Sequence, residues 1–188
     1  MFTLIGSGIS LLVILRTATM AAWSVAQEKE ARSWAVLLCT PLPDIWILRH
    51  KALSVVMRNA VGWMALMTAN FVFLIHLMLH EKSGGFGMGM YVLSSFVGTF
   101  SSLYMVTGTG LYFSIRMRTG ALAVIATLGF LIGFHVVLRF LMIPVVLALG
   151  PMASKLPYVF VILNPLISVV IGVLMFKLCG KALRRFIF

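Results

Sequence analysis

Acid is what this chain lacks most. Glu28, Glu30, Asp44 and Glu81 are its only carboxylate side chains in 188 residues, against fifteen Lys and Arg. None of the four lies inside a long apolar run, so the chain has no intramembrane acid of the kind that proton relays and membrane-embedded hydrolases use. Cysteine is almost as scarce. Cys39 and Cys179 form no CxxC pair and stand near no ligand cluster, so no zinc site is suggested. Both fall on the side assigned below to the cytoplasm, where a structural disulfide is not expected. No G-x-x-x-x-G-K-[ST] occurs, which leaves the chain without its own nucleotide loop. Charge as a whole is low: 10% of residues are charged and 62% are hydrophobic, whereas a soluble domain is about a quarter charged and about half apolar. A water-soluble surface cannot be assembled from so little.

What is present is apolar length. Long apolar runs extend from about Phe2 to Ala26, Val55 to Leu79, Met90 to Ile115, Thr119 to Leu138 and Tyr158 to Cys179. Each reaches or exceeds the roughly 20 residues that a helix needs to cross a bilayer. They are apolar all round and lack the period-two alternation of a membrane barrel, so they read as helices. Arg16 interrupts the first run and no basic segment precedes it, so it reads as a span rather than a leader. The fold class expected is all-α: residues 1–188 form a single polytopic transmembrane helical bundle.

The net charge of +11 would suggest nucleic acid in a soluble protein. Here the basic residues sit between the apolar runs, without the aromatic interleaving of a single-strand platform. No nucleic acid partner is expected. Flanking positive charge suits membrane insertion and anionic lipid headgroups. Lys29, Arg32, Arg49, Lys51, Arg58, Arg116, Arg118, Lys177, Lys181, Arg184 and Arg185 fall on one side of the five runs. Only Lys82, Arg139 and Lys155 fall on the other. Eleven against three makes the first side cytoplasmic, with the N-terminus outside and the C-terminus inside. That is the topology of a multi-pass protein of the plasma (inner) membrane.

Residues 139–157 need a separate place. One helix from Thr119 to Leu149 would be about 46 Å long and would carry Arg139 into the membrane. The expectation is that the helix ends near Arg139 at the outer surface. Phe140–Leu149, Gly150, Pro151 and Pro157 then form a short re-entrant hairpin.

The segment 27–54 is cytoplasmic, yet it holds Trp34, Leu37, Leu38, Leu42, Ile45, Trp46 and Leu48. So many large apolar side chains outside the bilayer mark an interface. Ser33 can cap a short helix that Thr40-Pro41 ends, and a second helix leads from Pro43 into the membrane. Glu28-Lys29-Glu30, then Trp34, Leu37 and Leu38, then Thr40-Pro41-Leu42 and finally Lys51 resemble the signature of ABC-2-type transporter permeases. That signature pairs two acids with an apolar helix, a T-P-L turn and a closing Lys. Gly110-Leu111-Tyr112-Phe113-Ser114, followed by Arg116 and Arg118, resembles the same family's small-residue span with its basic turn. The stretch after Arg139 is similar to the family's outer re-entrant helices. Five spans against the family's six would align the first span here with the family's second, the family's first helix being absent from the sequence.

The resemblance implies a mechanical role. A short coupling helix, about Ser33–Cys39, would dock on a separate ABC ATP-binding subunit through Glu28, Glu30, Trp34, Leu37, Leu38, Thr40, Pro41 and Leu42. A second copy or a homologous permease would complete a dimer. ATP-driven closure of the partner would tilt the spans and export a substrate. No cofactor, no metal and no catalytic residue belongs to such a chain.

Plainer readings stand beside these. Trp34, Leu37 and Leu38 can lie among headgroups as an interfacial helix. Glu28 and Glu30 can be solvated, or sit at a helix N-terminus. Arg16 can face a translocation path and attract an anionic headgroup, or can snorkel to the cytoplasmic surface. His76 and His80 have metal-ligand spacing but also suit an outer interface. Ser94, Gly98 and Ser102, like Gly129 and Gly133, permit close helix packing. The other functions left open are a membrane-embedded enzyme such as an intramembrane hydrolase, and a non-transporting scaffold subunit.

Overall fold

The computed structural model describes the backbone of residues 2–31, 33, 43–80, 85–149 and 156–185. It describes the side chains of these except 2–7, 44, 73–74, 76–80, 85–93, 139, 142–149, 156–162 and 184–185. Within them the chain is helical: α1 (Phe2–Glu30), α2 (Asp44–Arg58), α3 (Ala60–His80), α4 (Gly85–Arg116), α5 (Gly120–Leu149) and α6 (Leu156–Arg185). Three stretches, Gly8–Glu30, Gly120–Leu138 and Leu163–Leu183, are long and apolar enough to cross a membrane. The bent pair α2–α3 makes a fourth if taken as one span. The chain is thus a helical membrane protein.

Its centre is α4, which packs most extensively on α6 and α1. The contacts advance together along these three helices. Gly98 faces Pro165, Tyr104 stacks on Phe176 with ring centroids 4.9 Å apart, and the Cys179 thiol approaches the Gly108 carbonyl at 3.9 Å. Gly110 meets Ala21, and Ser114 meets Val25. The three helices therefore run parallel. The α2–α3 pair and α5 run antiparallel to α1, since Glu28 pairs with Lys51, Thr17 with Asn59, and Glu30 with Gly120.

Two glycines allow the close crossings. A Cβ on Gly110 would stand 2.5 Å from Ala21 Cβ, and one on Gly172 would stand 2.4 Å from the Tyr104 ring. Small residues at helix contacts let backbones approach where lipid offers no hydrophobic gain. The apolar core near the C-terminal end of α1 draws Val25, Ile47, Leu48, Leu111, Ile115, Cys179 and Leu183 from four helices. Nearer the middle, Ala18, Met105, Val106 and Leu131 join α1, α4 and α5. Several buried hydroxyls are satisfied locally: Thr17, Thr107, Thr109, Thr127 and Ser168 each donate to the carbonyl four residues before, whereas Ser101 Oγ meets no partner among the described residues. In lipid such back-bonding removes an unpaired polar group that water cannot reach.

Two sequence expectations need correction. The helix expected to stop near Arg139 continues unbroken to Leu149, about 45 Å of helix at 1.5 Å per residue. Arginine is a good helix former and does not by itself end a helix. A long helix is accommodated by tilt or by projecting past the hydrocarbon. Residues 150–155 of the expected hairpin lie outside the described residues. The second run, read as one span from Val55 to Leu79, is broken at Asn59 by a bend of 60°.

Candidate functional site: the C-terminal end of α1 and the cleft beside it

α1 ends on three consecutive charged residues, and each is tied to a different element. Glu28 forms an ion pair with Lys51 of α2. Its other oxygen, Oε2, is buried and meets no donor among the described residues. The Lys29 ammonium donates to the carbonyls of Ser114 (3.1 Å), Ile115 and Met117 (3.3 Å) at the C-terminus of α4. Those carbonyls lack intrahelical partners, and the helix dipole there favours a cation. Glu30 Oε1 accepts the Gly120 N–H at 2.8 Å, at the N-terminus of α5, where the dipole favours an anion. Thr119 completes that cap by accepting the Leu122 N–H at 3.4 Å.

One turn above, Ser114 Oγ accepts the backbone N–H groups of Val25 (3.1 Å) and Ala26 (2.9 Å). Ser24 Oγ donates to the Ala21 carbonyl at 2.8 Å. Below, the Ser33 N–H and hydroxyl both donate to the Glu28 carbonyl. The chain that leaves α1 is therefore rooted in α1, α2, α4 and α5 together. It returns at Pro43, whose carbonyl accepts the Trp46 N–H at 2.8 Å to start α2. Trp34, Leu37, Leu38, Thr40, Pro41 and Leu42, with Cys39, lie outside the described residues.

Beside this clamp, α1 and α2 enclose a cleft of about 730 Å³. On α1 it is lined by Arg16, Thr19, Met20, Trp23, Ser24, Gln27 and Glu28; on α2 by Lys51, Ser54, Val55 and Arg58. Each set follows helical spacing along one face. Because the helices are antiparallel, Glu28–Lys51 stands at the inner end. Arg58 stands at the deep end with Arg16, since the next residue, Asn59, donates to Thr17 Oγ1 (2.6 Å) and to the Val13 carbonyl (3.3 Å). Among the described residues, neither Arg16 nor Arg58 meets an acid within ion-pair distance.

Beyond Asn59 a second, neutral chamber of about 260 Å³ opens between α1, α3, α4 and α6. It is walled by Asn70, Ser94, Thr99, Ser102, Asn164 and Ser168. Trp63 also lines it, and its indole N–H is buried and unpartnered. Asn59 therefore sits between a basic cleft and a hydroxyl-rich chamber. The Ser94–Gly98–Ser102 stripe belongs to that chamber, whereas a Cβ added at Gly129 or Gly133 would meet nothing within 4 Å among the described residues.

The sequence named Glu28, Glu30 and Arg16, and placed Lys51 and Ser114 in motifs. The structure adds Lys29, Asn59 and Arg58, and gives Lys51 and Ser114 their partners. Lys51-x-x-Ser54-x-x-x-Arg58 is legible as one polar face of α2, and Arg16-x-x-x-Met20-x-x-Trp23 as one face of α1. Nothing in the sequence sets the two faces opposite each other. Among the described residues no three His, Cys, Asp or Glu side chains cluster as a metal site; the His76 and His80 side chains lie outside them. No family model, no curated protein and no solved structure matches this chain.

Proposed function

We propose that this chain is the membrane-spanning subunit of an ABC-2-type exporter, driven by a separate ATP-binding subunit that seats on residues 33–39. It would cross the membrane five times, N-terminus outside and C-terminus in the cytoplasm. The alternating directions of α1, α2–α3, α4, α5 and α6 support five crossings. A second copy or a homologous permease would face it across the transport path.

The observation that carries the reading is the clamp at the inner end of α1. Glu28, Lys29 and Glu30 bind α2, the end of α4 and the start of α5. A push on the segment between Ser33 and Pro43 is thereby delivered to four helices at once, as a coupling element requires. Glu28 and Glu30 then transmit force within this chain as well as flank the docking surface.

The test is affinity purification of the full chain from its own membranes in mild detergent. An ATP-binding subunit should co-elute in stoichiometric amount and hydrolyse ATP. Purification of the chain with no nucleotide-binding partner, from membranes that retain all its natural neighbours, would refute the proposal.

A further inference from the structure

We infer that the α1–α2 cleft binds a phosphate group, and that the phosphate belongs to the headgroup of an anionic lipid. The inference begins with charge. The cleft holds Arg16, Lys51 and Arg58 against Glu28 alone, and Glu28 is taken by Lys51 at the inner end. Two guanidinium groups are left at the deep end, brought there from opposite walls by the Asn59–Thr17 hydrogen bond. Like charges so placed repel, and an anion between them removes the repulsion. Guanidinium is the donor whose planar fork matches a phosphate bidentately.

Depth separates this from the ordinary basic fringe of a membrane protein. Arg16 lies eight residues inside one end of the apolar stretch Gly8–Glu30 and fourteen from the other. An unpaired charge at such a position is costly unless it faces a polar cavity or a partner. The Ser54 hydroxyl, one turn before Arg58 on the same wall, can add a hydrogen bond to a phosphate there. The remaining walls favour a lipid over a free anion. Leu12, one turn before Arg16 on the same face, is 66% exposed, and Val61, just past the bend at Asn59, is 80% exposed. They leave apolar surface bare beside the two arginines, on which acyl chains can lie. The binding claimed is a property of this chain alone. It holds or fails without an ATP-binding partner, so its failure would leave the coupling proposal standing, and the reverse.

The experiment uses the full chain, delipidated in neutral detergent and followed by native mass spectrometry. It is titrated with phosphatidylglycerol, with phosphatidylcholine, and with inorganic phosphate. Phosphatidylglycerol should bind about tenfold more tightly than phosphatidylcholine, and excess inorganic phosphate should not displace it. Arg16→Gln and Arg58→Gln should each weaken phosphatidylglycerol by about tenfold, the loss of one charge-assisted pair. Arg118→Gln, a basic residue outside the cleft, should leave it unchanged. An equal loss in Arg118→Gln would reduce the effect to general surface charge and overturn the proposal. Displacement by inorganic phosphate would make this a soluble-anion site and overturn the lipid assignment. If Arg16→Gln fails to reach the membrane, exposed Arg58 carries the same test, and unchanged affinity in Arg58→Gln overturns the proposal by itself.

Discussion

Asn59 is the most consequential single residue outside the charged clamp. It is almost wholly buried, it sits at the α2–α3 bend, and its amide donates to Thr17 and Val13 of α1. Interhelical polar contacts in membranes are worth about 0.6 kcal/mol on average and up to about 1.7. Replacing Asn59 by Ala should therefore cost about 1 kcal/mol in a denaturant-unfolding measurement. Thr17→Val should add little on top, because both changes remove the same contact.

Glycines give a sharper contrast. Gly110→Ala forces a Cβ into Ala21 and should cost about 1–3 kcal/mol, whereas a Cβ at Gly129 would meet nothing within 4 Å among the described residues. Gly129→Ala should be neutral or stabilise by up to about 1 kcal/mol. Thermal midpoints of the two variants in one detergent decide this. At this scale the sequence reveals residue types but not partners. GxxxG at Gly129 and Gly133 is the more conspicuous pattern, yet a Cβ at either position would meet nothing within 4 Å among the described residues, whereas one at Gly110 would run into Ala21 of α1.

At the scale of elements, the charged end of α1 acts as a cap for two other helices. The α4 C-terminus and the α5 N-terminus meet at a three-residue turn, Met117–Thr119, and their unpaired carbonyls and N–H groups are served by Lys29 and Glu30. Lys29→Ala and Glu30→Ala should loosen this turn while leaving the bundle assembled. Amides of residues 117–120 should exchange with deuterium about tenfold faster, as expected for about 1.4 kcal/mol of local stability. Exchange in the α4–α6 contact should be unchanged. Uniform acceleration throughout would mean that these residues support the fold as a whole.

The helices themselves were legible, because runs of 20 or more apolar residues have few other solutions in lipid. Their ends were less so. The bend at Asn59 follows no Pro or Gly, and it is held by a bond to a residue 42 positions away. Arg139 looked like a boundary because of its charge, but charge does not break a helix, and α5 runs on to Leu149. The Glu28-Lys29-Glu30 motif was visible as a motif. Its three attachments, two of them about 85 to 90 residues distant along the chain, were not.

At the scale of the molecule, three parallel helices, α1, α4 and α6, form the spine, with α5 laid antiparallel on α1 and α4. The α2–α3 pair folds back along α1 and encloses the basic cleft. In the proposed coupling role these parts form one device. A partner would press on the segment after α1, the clamp would spread the displacement over four helices, and the cleft and the chamber on either side of Asn59 would change shape. The device fails if its input surface takes no partner. The most direct measurement is the ATP-binding subunit retained on the purified Trp34→Ala/Leu38→Ala double variant, read beside the yield of the variant in membranes. The two positions are four residues apart and share one face of the expected helix. Truncating buried aromatic and aliphatic anchors typically costs an interface about 2 kcal/mol or more. The account predicts wild-type yield, loss of the ATP-binding subunit and loss of export. Full retention with full export, or disappearance of the chain from membranes altogether, would contradict it.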